Sequence, residues 1–168
     1  MKILFACSEC SPFAASGGLA DVAGSLPPAL AEKGVGTAVI LPLYRRVKER
    51  FGDRLTFRCF DYVDLAWRHA YCGLFSLEKD GVTWYFLDNE QYFDRPELYG
   101  YVDDGERFGF FSRAVVRMLG HFKFWPDVIH CNDWQTALVP IYLKDDGVRE
   151  DRLRSIKTTL TIHNIEYQ

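Results

Sequence analysis

The chain has 168 residues, 48% apolar and 26% charged, a composition typical of one globular domain with a core rather than of a disordered segment. The formal net charge of −3 offers no polycationic surface, so the sequence predicts no nucleic-acid partner and no binding to a membrane surface. No run approaches the ~20 apolar residues of a membrane span, and the apolar segment before Cys7 is too short for a secretory signal, so we expect a cytoplasmic protein.

The cysteines predict free thiols. The five cysteines are an odd number scattered through apolar segments, which favours reduced side chains over a disulfide framework. Cys7 and Cys10 form a C-x-x-C pair, but the pair does not open a helix and no second ligand pair accompanies it. We therefore favour buried thiols over a redox or zinc site, and we predict neither a metal nor a cofactor.

The N-terminal segments predict a strand, a glycine turn, a helix and a second strand. "KILFACS" is a short apolar run typical of a strand buried on both faces. After a glycine pair, apolar residues at helical spacing predict a helix, which the proline pair after Leu26 should kink or split and Gly34 should end. "VGTAVILPLY" follows as the second strand. This order within about 40 residues is that of a βαβ unit, whose strands are parallel.

The middle of the chain predicts antiparallel strands. "LTFRCFDYVDLAW", "HAYCGLFSLEKDG" and "VTWYFLDNE" are strand-like, and Lys79-Asp80-Gly81 joins the last two as a hairpin. We expect a β-rich insertion or an extended edge of the sheet here. "QYFDRPELYGYVDDG" follows as a polar, aromatic loop.

The remaining segments return to alternating helices and strands. "ERFGFFSRAVVRMLGHF" predicts an amphipathic helix, "PDVIHCND" a buried strand, "WQTALVPIYLK" a helix and "KTTLTIHNIEYQ" a strand followed by a loop. The predicted fold class is therefore α/β: a Rossmann-like, mostly parallel sheet flanked by helices, with an antiparallel, β-rich insertion in the middle.

Ligands of such sheets bind at the carboxyl ends of the strands, and a glycine turn follows the first one. Gly17 and Gly18 would let a phosphate or sugar approach the N-terminus of the helix. Alternatively, they form only a tight connection, with Ser16 as the N-cap. The residues alone leave these two interpretations equal. The turn is neither G-x-G-x-x-G nor a Walker A motif, so a dinucleotide or P-loop site is not supported.

Polar residues also follow the later strands. Asp133 either caps the next helix or presents a carboxylate to sugar hydroxyls, with Trp134 as an apolar platform. His130 lies within the strand and is typical of a core histidine. His163 and Asn164 close the last predicted strand, where a polar pair has few packing reasons to exist, so we expect them in a pocket.

Three segments, "KILFACSECSPFAASGGLADVAGSLPPALAEKG", "VIHCNDWQTALVPIYLK" and "TIHNIEYQ", resemble in this order the N-terminal domain of bacterial glycogen synthases and plant starch synthases. The resemblance covers residues 2–168. It implies a GT-B glycosyltransferase, in which two Rossmann-like domains face each other across a cleft. Such enzymes use no metal and transfer glucose from ADP-glucose to the 4-OH of an α-1,4-glucan such as glycogen, with retention of configuration.

The same resemblance implies that residues 1–168 are an incomplete N-terminal domain. The missing C-terminal domain of the same enzyme would carry most of the nucleotide site, so we expect the fragment alone to be inactive. Two alternatives stay open: a non-catalytic α-glucan-binding or regulatory module derived from a GT-B enzyme, and a GT-B relative that uses another sugar donor.

The resemblance also assigns roles to individual residues. His163 and Asp133 are the implied catalytic residues, one contacting the transferred glucose and the other lying near donor and acceptor. The family's usual loop is K-T-G-G-L; Ala15 stands here at the lysine, which leaves a cation missing beside the donor's phosphates. The implied substrate-binding residues are Ser16, Gly17 and Gly18 on the donor loop, Asp21 on the nucleotide side, Tyr99 on the acceptor side, and Trp134 and Asn164.

Overall fold

The computed structural model of the chain describes residues 1–165, and within them seven strands form one sheet in the order β3-β4-β5-β2-β1-β6-β7. The strands are β1 (Lys2–Ala6), β2 (Gly36–Pro42), β3 (Thr56–Leu65), β4 (Arg68–Lys79), β5 (Val82–Asp88), β6 (Val128–Asn132) and β7 (Lys157–Thr161). The helices are α1 (Gly18–Glu32), α2 (Arg45–Phe51), α3 (Glu90–Phe93), α4 (Asp104–Met118), α5 (Val139–Gly147) and α6 (Asp151–Arg154).

The centre of the sheet is parallel. β1 pairs with β2 and β6, β2 pairs with β5, and β6 pairs with β7, all in parallel. Leu4 and Ala6 of β1 and residues 38–41 of β2 are completely buried, because helices cover both faces of a sheet built from βαβ units. The predicted α/β fold class is confirmed.

The antiparallel strands of the middle segment extend the same sheet. β3 pairs with β4 and β4 with β5 in antiparallel register, and the β4–β5 turn has positive φ at Asp80 and Gly81, as the hairpin prediction requires. β5 also continues the parallel part through β2. The segment is therefore an extended sheet edge, one of the two arrangements that the sequence predicted.

Two predicted helices differ from the structure, and three observed helices were not predicted. α1 runs unbroken through Pro27 and Pro28; Pro27 is buried, and its carbonyl accepts a hydrogen bond from the Thr37 hydroxyl of β2 (3.2 Å), so packing on the sheet offsets the two missing N–H donors. The predicted helix after β6 is a 3₁₀ turn at Trp134–Thr136 followed by α5, which starts where Pro140 fits a first helical turn. α2, α3 and α6 were not predicted, and α3 lies at the start of the segment predicted as a loop.

The described residues contain no helix that is long and apolar enough to cross a membrane. Cys7 and Cys10 are both buried free thiols, and burial raises the pKa of the Cys10 thiol above its ordinary range. Such thiols are poor nucleophiles and poor metal ligands. This environment supports the prediction of structural cysteines.

Candidate active site

A cavity of about 850 Å³ lies at the carboxyl ends of β1, β6 and β7. Its lining comprises Glu9, Ser16, Gly17, Gly18, Leu19, Tyr99, Gly100, Asp104, Asp133, Trp134, Gln135, His163 and Asn164. The lining includes every predicted site residue except Asp21. Asp21 lies exposed on α1, where its carboxylate accepts a hydrogen bond from the Ser11 hydroxyl (3.3 Å).

The glycine turn is held by a carboxylate that the sequence analysis missed. Oε2 of Glu9 accepts hydrogen bonds from the backbone N–H of Ser16 (2.5 Å), the Ser16 hydroxyl (3.0 Å) and the backbone N–H of Gly17 (3.0 Å). The Ser16 N-cap that belonged to the tight-turn alternative is not observed: Gly17 occupies that position, and no side chain caps α1. The Ser16 hydroxyl is turned to Glu9 instead.

The geometry of the glycine pair favours a ligand over a mere turn. Gly17 has an extended backbone (φ −152°), and neither Gly17 nor Gly18 is among the residues with positive φ, so neither residue of the pair needs glycine's conformational freedom. A Cβ at Gly18 would meet nothing within 4 Å. The backbone N–H groups of Gly18 and Leu19 make no hydrogen bond to another described residue. This open, donor-rich helix start suits an anion.

Asp133 connects the loop after β6 to the loop after β7. Its Oδ1 accepts hydrogen bonds from the backbone N–H of His163 (2.6 Å) and of Asn164 (3.4 Å). The backbone of Asp133 has φ 57° and ψ −179°, a region that is costly for any residue except glycine. Its side chain makes no capping hydrogen bond to the following 3₁₀ turn. The helix-cap alternative for Asp133 is therefore not observed.

The orientation of the His163 ring follows from Asn132. The Asn132 amide nitrogen donates to the carbonyl oxygens of Ala6 and His130 (both 3.1 Å), which leaves its Oδ1 as an acceptor. Nε2 of His163 lies 2.9 Å from that oxygen and must therefore carry the proton. His130 bonds Thr161 Oγ1 (2.7 Å) from within β6, and its pKa is lowered by burial and by His163; it is hydrogen-bonded as predicted, but it is half-buried rather than part of the core.

Tyr99 reaches the cavity from the loop before α4. Its hydroxyl lies 2.7 Å from Ser8 Oγ and donates to Glu9 Oε1 at 3.3 Å. Burial, reinforced by the Glu9 charge, raises the pKa of Tyr99 far above its ordinary range, so the residue acts as a neutral phenol. The predicted aromatic platform, Trp134, packs edge-on against Phe108 (centroids 5.3 Å apart).

The loop that carries Tyr99 is held by an ion pair of a buried arginine. Arg107 is completely buried and pairs with Asp104. Its guanidinium also donates to the carbonyl oxygens of Tyr92 (2.7 Å) and Leu98 (3.1 Å). Asp104 Oδ2 accepts the backbone N–H of Gly100 (2.7 Å). These bonds fix the backbone on both sides of Tyr99.

Gln135 is a second lining residue that the sequence analysis missed. It is 7% exposed, and its buried Oε1 has no hydrogen-bond partner among the described residues. A buried acceptor without a donor costs about 1–3 kcal/mol. The only sequence signal was its position two residues after Asp133, at the carboxyl end of β6.

The fold and the cavity together define a Rossmann-like α/β domain whose candidate ligand site lies at the carboxyl ends of parallel strands. The family model of the starch synthase catalytic domain matches residues 2–168. The chain therefore belongs to this family of glycogen and starch synthase-type glycosyltransferase domains, as the sequence resemblance indicated.

Individual relatives agree with this assignment. The chain is 54% identical to a glycogen synthase of Lactococcus lactis subsp. lactis and 53% identical to one of Caldicellulosiruptor bescii, with 100% of this chain covered in both comparisons. It spans only 36% and 35% of those two proteins. Among solved structures, the catalytic domain of starch synthase IV from Arabidopsis thaliana, bound to ADP and acarbose, matches with TM-score 0.77 and 32% identity, over 99% of this chain and 34% of that one.

Proposed function

We propose that this chain forms one wall of the active site of a retaining glucosyltransferase, which transfers glucose from ADP-glucose to the 4-OH of an α-1,4-glucan. The observation that carries the proposal is the convergence of three strand ends on one cavity, where the glycine turn, Asp133 and His163 line the same space. The similar starch synthase structure has ADP and acarbose bound. Its ligands are a nucleoside diphosphate and a glucan-like oligosaccharide, the two classes that the proposal requires.

The donor's diphosphate lies in this proposal at the start of α1. The N–H groups of Gly18 and Leu19 and the positive end of the helix dipole attract a phosphate, and the absence of a side chain at Gly18 leaves room for it. Asp21, on the next turn of α1, is the residue we assign to the nucleotide side, outside the cavity lining.

The transferred glucose lies between the loops after β6 and β7. Asp133 holds the His163 backbone in place through its Oδ1, and Asn132 fixes the His163 ring. With both groups locked, the histidine and Asn164 contact the glucose without reorganising during the reaction. Gln135 Oε1 then accepts a sugar hydroxyl, which satisfies its missing hydrogen bond, and Trp134 offers an apolar face. Tyr99 lies on the acceptor side.

We further propose that residues 1–168 are an incomplete N-terminal domain and need the rest of a longer enzyme for activity. The chain spans about a third of its relatives' length, and an open wall neither excludes water nor aligns a donor. The test offers labelled ADP-glucose, with UDP-glucose in a parallel reaction, and glycogen to the complete protein and to the 168-residue chain. We expect transfer from ADP-glucose by the complete protein only. Transfer by the chain alone would refute the requirement for a second domain.

Ala15 is the observation that favours the alternative of a glucan-binding module without catalysis. It is exposed beside the glycine turn, where the resemblance places a lysine. If the protein is an enzyme, Ala15→Lys in the complete protein should lower the KM for ADP-glucose by about tenfold or more, since a charge-assisted hydrogen bond contributes about 1.5–3 kcal/mol. Calorimetry that shows glucan binding but no ADP-glucose binding, in both forms, would instead establish the module.

A further inference from the structure

Glu9 connects two parts of the cavity that lie 90 residues apart in sequence. One carboxylate oxygen accepts three hydrogen bonds from Ser16 and Gly17. The other accepts the hydroxyl of Tyr99 (3.3 Å), which is also 2.7 Å from Ser8 Oγ. The donor-side turn and the acceptor-side tyrosine therefore share one anchor.

This carboxylate is buried without a cation. Glu9 is 6% exposed, and the ion pairs of residues 1–165 include no partner for it. Burying an unpaired charge is unfavourable unless hydrogen bonds satisfy it, and four donors from the turn and Tyr99 do so. A neutral carboxamide has the same shape as the Glu9 carboxylate and would satisfy the same partners at lower desolvation cost. Replacing Glu9 by glutamine therefore tests whether the site needs the shape of this side chain or its charge.

The Glu9 contacts also restrict where an anion binds. The N–H groups of Ser16 and Gly17 are already bonded to Glu9, and those of Gly18 and Leu19 make no hydrogen bond to another described residue. A phosphate that approached the first pair would meet the carboxylate's negative charge. The second pair is the one left for a ligand.

We propose that Glu9 is a positioning residue of this site: it locks the Ser16–Gly17 turn, so that a phosphate group of the donor binds only at the Gly18 and Leu19 N–H groups, and it couples this turn to Tyr99. The proposal rests on the proposed function, because it takes the donor to be a nucleoside diphosphate sugar. Glu9 itself contacts neither substrate.

The test compares Glu9→Ala with Glu9→Gln in the complete protein. In Glu9→Gln the amide oxygen accepts from the turn, and the amide nitrogen donates to the Tyr99 hydroxyl, so the anchor stays. We expect Glu9→Ala to raise the KM for both ADP-glucose and glycogen by about tenfold, and Glu9→Gln to restore both to within about threefold of the unmodified protein. Glu32→Ala, an exposed carboxylate near the end of α1, is the matched control and should change neither.

Amide hydrogen exchange over residues 16–19 gives a readout independent of activity. Glu9→Ala should lose protection at Ser16 and Gly17, and Glu9→Gln should keep it. If the complete protein transfers no glucose, the proposed function fails, and the exchange data still decide whether Glu9 holds the turn. The Glu9 proposal is overturned if Glu9→Ala keeps both KM values within twofold, or if only one of the two KM values rises. It is also overturned if Glu9→Gln raises the KM values as much as Glu9→Ala, or if the amide protection of Ser16 and Gly17 is unchanged in Glu9→Ala.

Discussion

Substitution of Asp133 by glycine and by alanine separates two opposing contributions at the centre of the site. The backbone of Asp133 (φ 57°, ψ −179°) lies in a region that costs about 1–3 kcal/mol for a residue with a side chain and almost nothing for glycine. The side chain compensates through Oδ1, which accepts the His163 N–H at 2.6 Å. A hydrogen bond to a charged group contributes about 1.5–3 kcal/mol.

The two variants should therefore differ in stability. Asp133→Ala keeps the strained backbone and loses the hydrogen bond, so we expect it to lower the free energy of unfolding by about 1.5–3 kcal/mol. Asp133→Gly loses the same bond but relieves the backbone strain. The extra chain entropy of glycine in the unfolded state cancels about 0.5–1 kcal/mol of that gain in the free energy of unfolding. Glycine should thus be the more stable variant by about 1 kcal/mol. Urea unfolding of the complete protein, followed by circular dichroism, measures this difference, with the exposed Asp53→Ala as control.

Activity should not follow stability in this pair. Both variants release the His163 backbone, so both should lose about 100-fold or more in kcat for glucosyl transfer, the effect of removing one preorganised group from an active site. If Asp133→Gly is no more stable than Asp133→Ala, the backbone of Asp133 is not strained. If either folded variant keeps kcat within twofold of the unmodified protein, Asp133 does not position His163 for glucosyl transfer.

Two further variants probe the surroundings of the cavity. Arg107→Met should lower the free energy of unfolding by about 3 kcal/mol, because it leaves the mostly buried Asp104 carboxylate (16% exposed) without its partner and the Tyr92 and Leu98 carbonyls without a donor. The partly exposed Arg46→Met is the control, and equal losses in the two variants would contradict the role of the Arg107 pair. Gln135→Leu removes a buried acceptor that lacks a donor, so stability should not fall by more than about 0.5 kcal/mol, while the KM for ADP-glucose or glycogen rises about tenfold. An unchanged KM for both would mean that no sugar hydroxyl bonds Oε1.

Local patterns predicted the parallel sheet well. Strands β1 and β2 are nearly continuous apolar runs, which are typical of strands buried on both faces. What the sequence left open was long-range pairing: nothing within "VTWYFLDNE" indicates that β5 pairs in parallel with β2 as well as antiparallel with β4. The unbroken α1 likewise depends on the packing of Pro27 against β2, a contact that no helix pattern contains.

The positions of the site residues were predictable for the same reason, and their contacts were not. The carboxyl ends of parallel strands meet at one edge, so residues after β1, β6 and β7 were bound to lie near each other. The Ser16 cap of the tight-turn alternative is absent because the Ser16 hydroxyl bonds Glu9, seven residues earlier, and Gly17 occupies the N-cap position. The unusual backbone of Asp133 has no signal in residue type, since aspartate is common at helix starts with ordinary φ.

In the proposed function, the charge of this wall makes an opposing wall a requirement. The ionisable groups that line the cavity are Glu9, Asp104, Asp133, Tyr99 and His163, and Arg107 lies behind them, already committed to Asp104. Within the described chain the lining therefore provides no lysine or arginine for a diphosphate, and a helix dipole contributes only about half a charge. In the proposed function, the cations therefore come from the opposing wall of the cleft or from a residue placed at position 15. Ala15→Lys should accordingly lower the KM for ADP-glucose most in a variant that has lost a cation from the opposing wall. The effects of the two substitutions on KM should therefore not add.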